Sequence, residues 1–202
     1  MQLPRSLHPA TGYDAILFDF DGVLVDSEPL HWQCWREVLA PAGYDLTWDY
    51  YAAHCIGVKD DDMGCFVDAA RFPELLAAKR ELLRSRASSA ELVTDDVREL
   101  LRNLFLPLAV VTSSSRLEVE PVLLAGGIHA CFAARVYRES VSHLKPHPEP
   151  YRKAAALLGA LRPLVVEDSD PGEESARAAG FDCLRVPHQT DLTRLLHECL
   201  AL

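Results

Sequence analysis

Two carboxylates two residues apart, Asp19 and Asp21, end an apolar run and are followed at once by a glycine, in Phe18-Asp19-Phe20-Asp21-Gly22-Val23. Ala15-Ile16-Leu17-Phe18 reads as a short buried strand of a parallel sheet. Alternation along an extended segment sends Asp19 and Asp21 to the same side and turns Phe20 toward the core. Carboxylates so placed can divide a displacement reaction: one attacks or binds a metal, the other moves a proton. Asp and Gly are equally at home in a solvated turn, so the pair needs partners before it counts as a site.

Three further segments offer such partners. Val110-Val111-Thr112-Ser113-Ser114-Ser115 is a strand running into hydroxyls and then a helix, a place for phosphate or for an ordinary serine cap. Leu164-Val165-Val166-Glu167-Asp168-Ser169-Asp170-Pro171-Gly172 again ends a strand in acids. Oxygen ligands of that kind beside Asp19 suit magnesium, and taken alone they also suit an acidic turn. Ser142-His143-Leu144-Lys145-Pro146-His147-Pro148 carries a lysine in a proline-stiffened loop, where it can neutralise a phosphate and a nucleophilic carboxylate. A lone loop lysine is usually solvated.

The elements that must position these residues alternate. Helices are expected over 95–103, 116–124, 149–158, 173–179 and 191–200, with strands over 108–111, 132–136, 164–166 and 183–186. That alternation implies an α/β fold, a parallel sheet covered on both faces with its ligands beyond the carboxyl ends of the strands. Between Pro29 and about Ala90 only helical patterns occur, over 29–40, 48–55, 60–70 and 73–88, as if inserted after the first strand.

A length of 202 residues accommodates one domain with a modest insertion. The net charge of −10 argues against nucleic acid or an anionic membrane as partner, though not against an anionic substrate held through a bound cation. No run is long enough to span a bilayer, and residues 1–12 lack the apolar stretch of a secretory signal. Six scattered cysteines without a CxxC pair fit buried, reduced thiols in a cytoplasmic protein.

In order and spacing the four segments resemble the motifs of the haloacid dehalogenase superfamily of phosphohydrolases, over about Tyr13 to Leu200. Asp19-Phe20-Asp21-Gly22-Val23 resembles its first motif, Thr112 its second, Lys145-Pro146 its third and Glu167-Asp168 its fourth. The inserted helices, Asp26-Ser27-Glu28-Pro29-Leu30-His31 and Glu167-Asp168-Ser169 resemble the beta-phosphoglucomutase-like subgroup.

The resemblance implies a Rossmann-like, three-layer, doubly wound parallel sheet core of residues 1–28 and 90–202, with a small α-helical cap of residues 29–89. It implies a Mg2+-dependent phosphatase of a small phosphorylated metabolite, monomeric or weakly dimeric. Asp19 is then the nucleophile and Asp21 the acid and base. Thr112, the Ser113 amide and Lys145 hold phosphoryl oxygens, while Asp19, the Asp21 carbonyl and Asp168 hold the metal, with Glu167 in or near its shell. His31, Lys59 and Lys79 are candidate substrate residues, set against the simpler readings of a packing histidine and a solvated lysine. The acidic run Asp60-Asp61-Asp62 stands where the mutases carry a phosphate-gripping arginine. This favours a phosphatase over a sugar-phosphate mutase. A non-catalytic binding protein of the same fold is the third reading.

Overall fold

The computed structural model describes residues 12–56, 58, 60–87 and 92–201, apart from the side chains of Cys65 and Phe66. Strand β1 (Ala15–Phe18) is followed by helices α1 (Glu28–Leu39), α2 (Trp48–His54), α3 (Phe72–Ala87) and α4 (Asp95–Asn103). Then come β2 (Leu108–Val111), α5 (Arg116–Ala125), β3 (Ala134–Val136), α6 (Glu149–Leu158), β4 (Pro163–Glu167), α7 (Asp170–Ala179), β5 (Asp182–Arg185) and α8 (Leu192–Leu200). The chain divides into two compact units, Met1–Asp26 with Glu91–Leu202, and Ser27–Ala90.

The first unit is a five-stranded parallel sheet in the order β3-β2-β1-β4-β5. The apolar run of β1 lies at its centre with all four residues 0% exposed. On one face Leu17, Ala109, Val111 and Val165 pack with Tyr151, Ala154 and Ala155 of α6 and Ala176 of α7. Residues of the opposite parity (Ile16, Phe18, Val110, Val166) are equally sealed, so both faces are covered, as a parallel sheet requires. Each such side chain contributes about 1.5–3 kcal/mol by leaving water.

Register fixes the site. Phe18 aligns with Val110 on one side and Val166 on the other, so Asp19, Thr112 and the Glu167-Asp168 pair emerge at one edge of the sheet. The Asp19 amide donates to the Val166 carbonyl (2.9 Å) and the Thr112 amide to that of Val136 (3.0 Å), extending the ladder one step past the strands.

The second unit packs α1, α2 and α3 around Trp35, Leu39, Leu46, Tyr51, Cys55, Met63, Leu75 and Leu76. Pro29 stands in the first turn of α1, where its missing N–H costs nothing, and Thr47 caps α2 through the Tyr50 amide.

Several expected elements shift. The helix read over 60–70 is a short 3-10 turn, Asp60–Phe66, because Gly64 and three leading aspartates support no longer helix. The helix read from 173 begins at Asp170, since the Ser169 hydroxyl accepts from the Gly172 amide and Pro171 fits the first turn. The strand read from 132 starts at Ala134, after a 3-10 turn at His129–Cys131. Of the described cysteines, Cys34 and Cys55 are buried, but Cys131, Cys183 and Cys199 are only half-buried; all five are free thiols.

Candidate active site

Asp19 is 7% exposed, and its Oδ1 accepts a 2.5 Å hydrogen bond from Lys145 Nζ. The same ammonium donates to Glu167 Oε1 (2.6 Å) and to the Val111 carbonyl (2.8 Å), which employs all three of its protons. Lys145 is therefore not a solvated loop lysine: its side chain is 6% exposed and bridges the ends of β1, β2 and β4. Burial alone would lower its pKa; the charges of Asp19 and Glu167 outweigh that and raise it, so it stays cationic.

Glu167 is the most heavily bonded acid of the cluster. Its Oε1 accepts from Lys145 and from the Tyr151 hydroxyl (2.5 Å). Its Oε2 accepts from Ser169 Oγ (3.0 Å), the Asp168 amide (3.1 Å) and the Ser169 amide (3.3 Å). Burial pushes its carboxyl up, but Lys145, Tyr151 and the Ser169 amide hold it below the ordinary value. Gly172 makes room for it: a Cβ there would lie 1.8 Å from Oε1.

Asp168 has the opposite setting. Burial and then the charge of Glu167 push its carboxyl up to about 6. Burial, followed by Glu167, likewise raises Asp19 well above an ordinary carboxyl, against the pull of Lys145. Oxygens of Asp19, Glu167 and Asp168 lie within 4.8 Å of one another. This all-oxygen set, with one ammonium for three acids, leaves negative charge uncompensated and fits a small hard dication such as Mg2+.

Asp21 accepts from Ser114 Oγ (2.9 Å). The tight turn beyond it is closed by the Gly22 amide on the Val25 carbonyl (2.8 Å). Gly22 has φ +74°, and a Cβ there would lie 2.0 Å from Asp168 Oδ2, so two independent constraints exclude a side chain. Thr112 is 3% exposed, and its Oγ1 accepts from the Ser114 amide (2.9 Å). Ser113 is half-buried in the turn that leads to α5, whose start is closed by a Ser115–Glu118 capping box.

The structure thus brings Asp19, Lys145, Glu167 and Asp168 into one cluster, with Asp21 and Thr112 each tied to Ser114. Ser114 and Tyr151 were missed as positioning residues. Ser114 stood in plain view inside the hydroxyl run. Nothing local marks Tyr151, whose ring reads as core and whose hydroxyl acts through Glu167.

In the helical unit, Lys79 is 0% exposed rather than solvated. Its Nζ donates to Asp60 Oδ2 (2.5 Å) and lies 3.1 Å from His31 Nδ1, and Asp60 Oδ1 accepts from Trp35 Nε1 (3.0 Å). His31 and Lys79 are therefore neighbours; Lys59 lies outside the described residues. Trp35 and Tyr51 belong to the unit's core, while Trp48 and Tyr50 are 38% and 46% exposed.

Residues 16–186 match the haloacid dehalogenase-like hydrolases. Fructose-1-phosphate phosphatase YqaB of Escherichia coli is 32% identical over 188 residues, covering 86% of this chain and 96% of that protein. A phosphorylated carbohydrates phosphatase of Thermotoga maritima is 29% identical over 179 residues, covering 84% and 82%. Among solved structures, CbbY from Rhodobacter sphaeroides in complex with phosphate has a TM-score of 0.69 at 25% identity, covering 85% of this chain and 84% of that one. Family match, sheet order and strand-end acids agree, and the chain belongs to the haloacid dehalogenase-like hydrolase family.

Proposed function

We propose that the chain is a magnesium-dependent phosphatase that hydrolyses a small phosphorylated metabolite, of the sugar-phosphate class, through an aspartyl-phosphate. The observation that carries this reading is the pairing of Asp19 with Lys145 at the end of the central strand. One carboxylate oxygen is held by an ammonium, and the other remains to attack phosphorus.

Asp19 forms the acyl-phosphate bond as the leaving alkoxide departs. Asp21, oriented by Ser114 Oγ, protonates that alkoxide and then takes a proton from the water that cleaves the intermediate. The Thr112 hydroxyl and the Ser113 amide bind the phosphoryl oxygens, and Lys145, its protons held by Asp19, Glu167 and Val111, holds them through its charge, each contributing on the order of 2–4 kcal/mol to the transition state. Asp19, Asp168 and the Asp21 carbonyl would hold Mg2+, which would neutralise charge on the transferring group. Glu167, saturated by five donors, keeps Lys145 charged and in place.

The helical unit acts as the specificity cap, with His31, Lys59 and Lys79 as its substrate residues. Asp60 already pairs with Lys79, and Asp61 with Arg80 (2.9 Å), so neither Lys79 nor Arg80 is offered to a second phosphate. This favours a phosphatase over a mutase, as do the relatives named as phosphatases. The enzyme works in the cytoplasm as a monomer or weak dimer.

The test is phosphate release from a panel of phosphorylated sugars, with sugar isomers measured alongside. Release is expected to need Mg2+, to stop with chelator, and to vanish in a folded Asp19→Asn variant. Undiminished turnover in that variant would refute the reading, and isomerisation without release would replace it with a mutase.

A further inference from the structure

Among the described residues, one other group of side chains outside the carboxylate cluster is arranged as ligands. His143, His147 and Glu149 each offer one ligand atom, and these atoms lie within 4.8 Å of one another. All three come from the loop that delivers Lys145, two residues to either side of the lysine and at the first residue of α6.

The group is pre-assembled. The Ser142 and His143 amides donate to the Glu149 carboxylate (2.9 and 3.0 Å), and His143 Nδ1 lies 3.0 Å from Glu149 Oε2. The Glu149 amide donates to His147 Nδ1 (3.2 Å), the two imidazoles stack with centroids 4.4 Å apart, and Ser175 Oγ holds the His147 carbonyl (2.7 Å). Pro146, Pro148 and Pro150 restrict the backbone between and beside the ligands. The Lys145 ammonium is turned inward onto Asp19 and Glu167, so it does not compete for the outer face.

We propose that His143, His147 and Glu149 form a second metal site, for a borderline divalent transition ion of the zinc class. Two imidazoles and a carboxylate make a donor set that zinc accepts with a water in the fourth position, and that magnesium, which prefers oxygen, does not. A tetrahedral zinc shell sets its donors about 3.3 Å apart, so closing this group takes rotation of exposed side chains rather than movement of backbone. His143, with a side chain 65% exposed, is free to make that rotation.

The test is calorimetry of Zn2+ with chelator-stripped protein, in wild type and in the His143→Ala, His147→Ala and Asp168→Asn variants. Circular dichroism verifies that each variant is folded. Zinc also binds carboxylates, so the Asp168→Asn protein isolates the histidine site. Expected is one zinc retained in Asp168→Asn and weakened at least tenfold by either histidine substitution, with Mg2+ failing to compete for it. Zinc affinity that ignores both histidines, or is lost with only one of them, would overturn the site. The assay does not use turnover, so its outcome is independent of the phosphatase reading.

Discussion

Replacing Tyr151 by Phe removes one oxygen from the middle of the molecule. The ring stays in the core, and the cation–π contact with Lys145 Nζ, 5.0 Å from its centroid, survives. What is lost is a 2.5 Å hydrogen bond from a fully buried hydroxyl to the Glu167 carboxylate. No water reaches a residue 0% exposed to replace it. A bond of this kind to a charged acceptor contributes about 1.5–3 kcal/mol. With roughly 2–4 °C per kcal/mol in a chain of this size, a loss near 2 kcal/mol lowers the melting temperature by about 4–8 °C.

The effect carries a pH signature. Glu167 is held below its ordinary value in the fold, in part by this hydroxyl. Its stabilisation is therefore complete above an unfolded value near about 4.3 and is lost as pH falls through the folded one. The gap between wild type and Tyr151→Phe should narrow in acid. Thermal and urea unfolding at pH 7.5 and at descending pH measure both quantities. A shift under about 1 °C at pH 7.5, or a gap that widens in acid, would refute the account of Glu167 as an acid stabilised by its donors.

Two further substitutions probe the same logic. In Gly172→Ala the new methyl would meet a carboxylate that five donors hold in place, so turnover should fall by about 100-fold or more as Glu167 and then Lys145 are displaced; steady-state kinetics retaining wild-type kcat would contradict this. Burial pushes the Asp60 carboxyl up, but the Lys79 charge and hydrogen bond hold it below the usual range, so its contribution is present above about 3.9 and lost as pH falls through the folded value. Asp60→Asn leaves the buried Lys79 without its charge partner and should destabilise the protein by about 3 kcal/mol at neutral pH. Denaturant titrations of the two proteins should draw together as pH falls below about 3.9; parallel curves would count against the ion pair.

The sheet strands and most core helices were legible because each is either an uninterrupted apolar run or an amphipathic repeat with a cap. Asp95–Asn103 and Glu149–Leu158 have the ends read from sequence, one capped by Thr94 and the other closed by left-handed Gly159. The 3-10 turn at Asp60–Phe66 was read as a longer helix because composition alone does not separate i→i+3 from i→i+4 pairing. The acids and the lysine of the candidate site were visible by type and spacing. Their organisation was not: that Lys145 bridges Asp19 and Glu167 depends on strand order, which places β1 between β2 and β4. The burial of Lys79 was hidden for a similar reason. Its helix face looks polar, and only the fold shows that Asp60 and Trp35 enclose it.

The central position of β1 has a consequence for how the chain is made. Among the described residues β1 is the first strand, yet its neighbours follow roughly 90 and 150 residues later, at Leu108–Val111 and Pro163–Glu167. At bacterial or eukaryotic elongation rates of about 5–20 residues per second, Ala15–Phe18 waits on the order of ten seconds or more before both its edges are paired. During that interval four residues that end fully buried form an open, sticky edge. The helical unit, with its own core, is complete well before the sheet can close. Nascent chains halted before β4 should therefore depend on chaperones, whereas those extending past α7 should not.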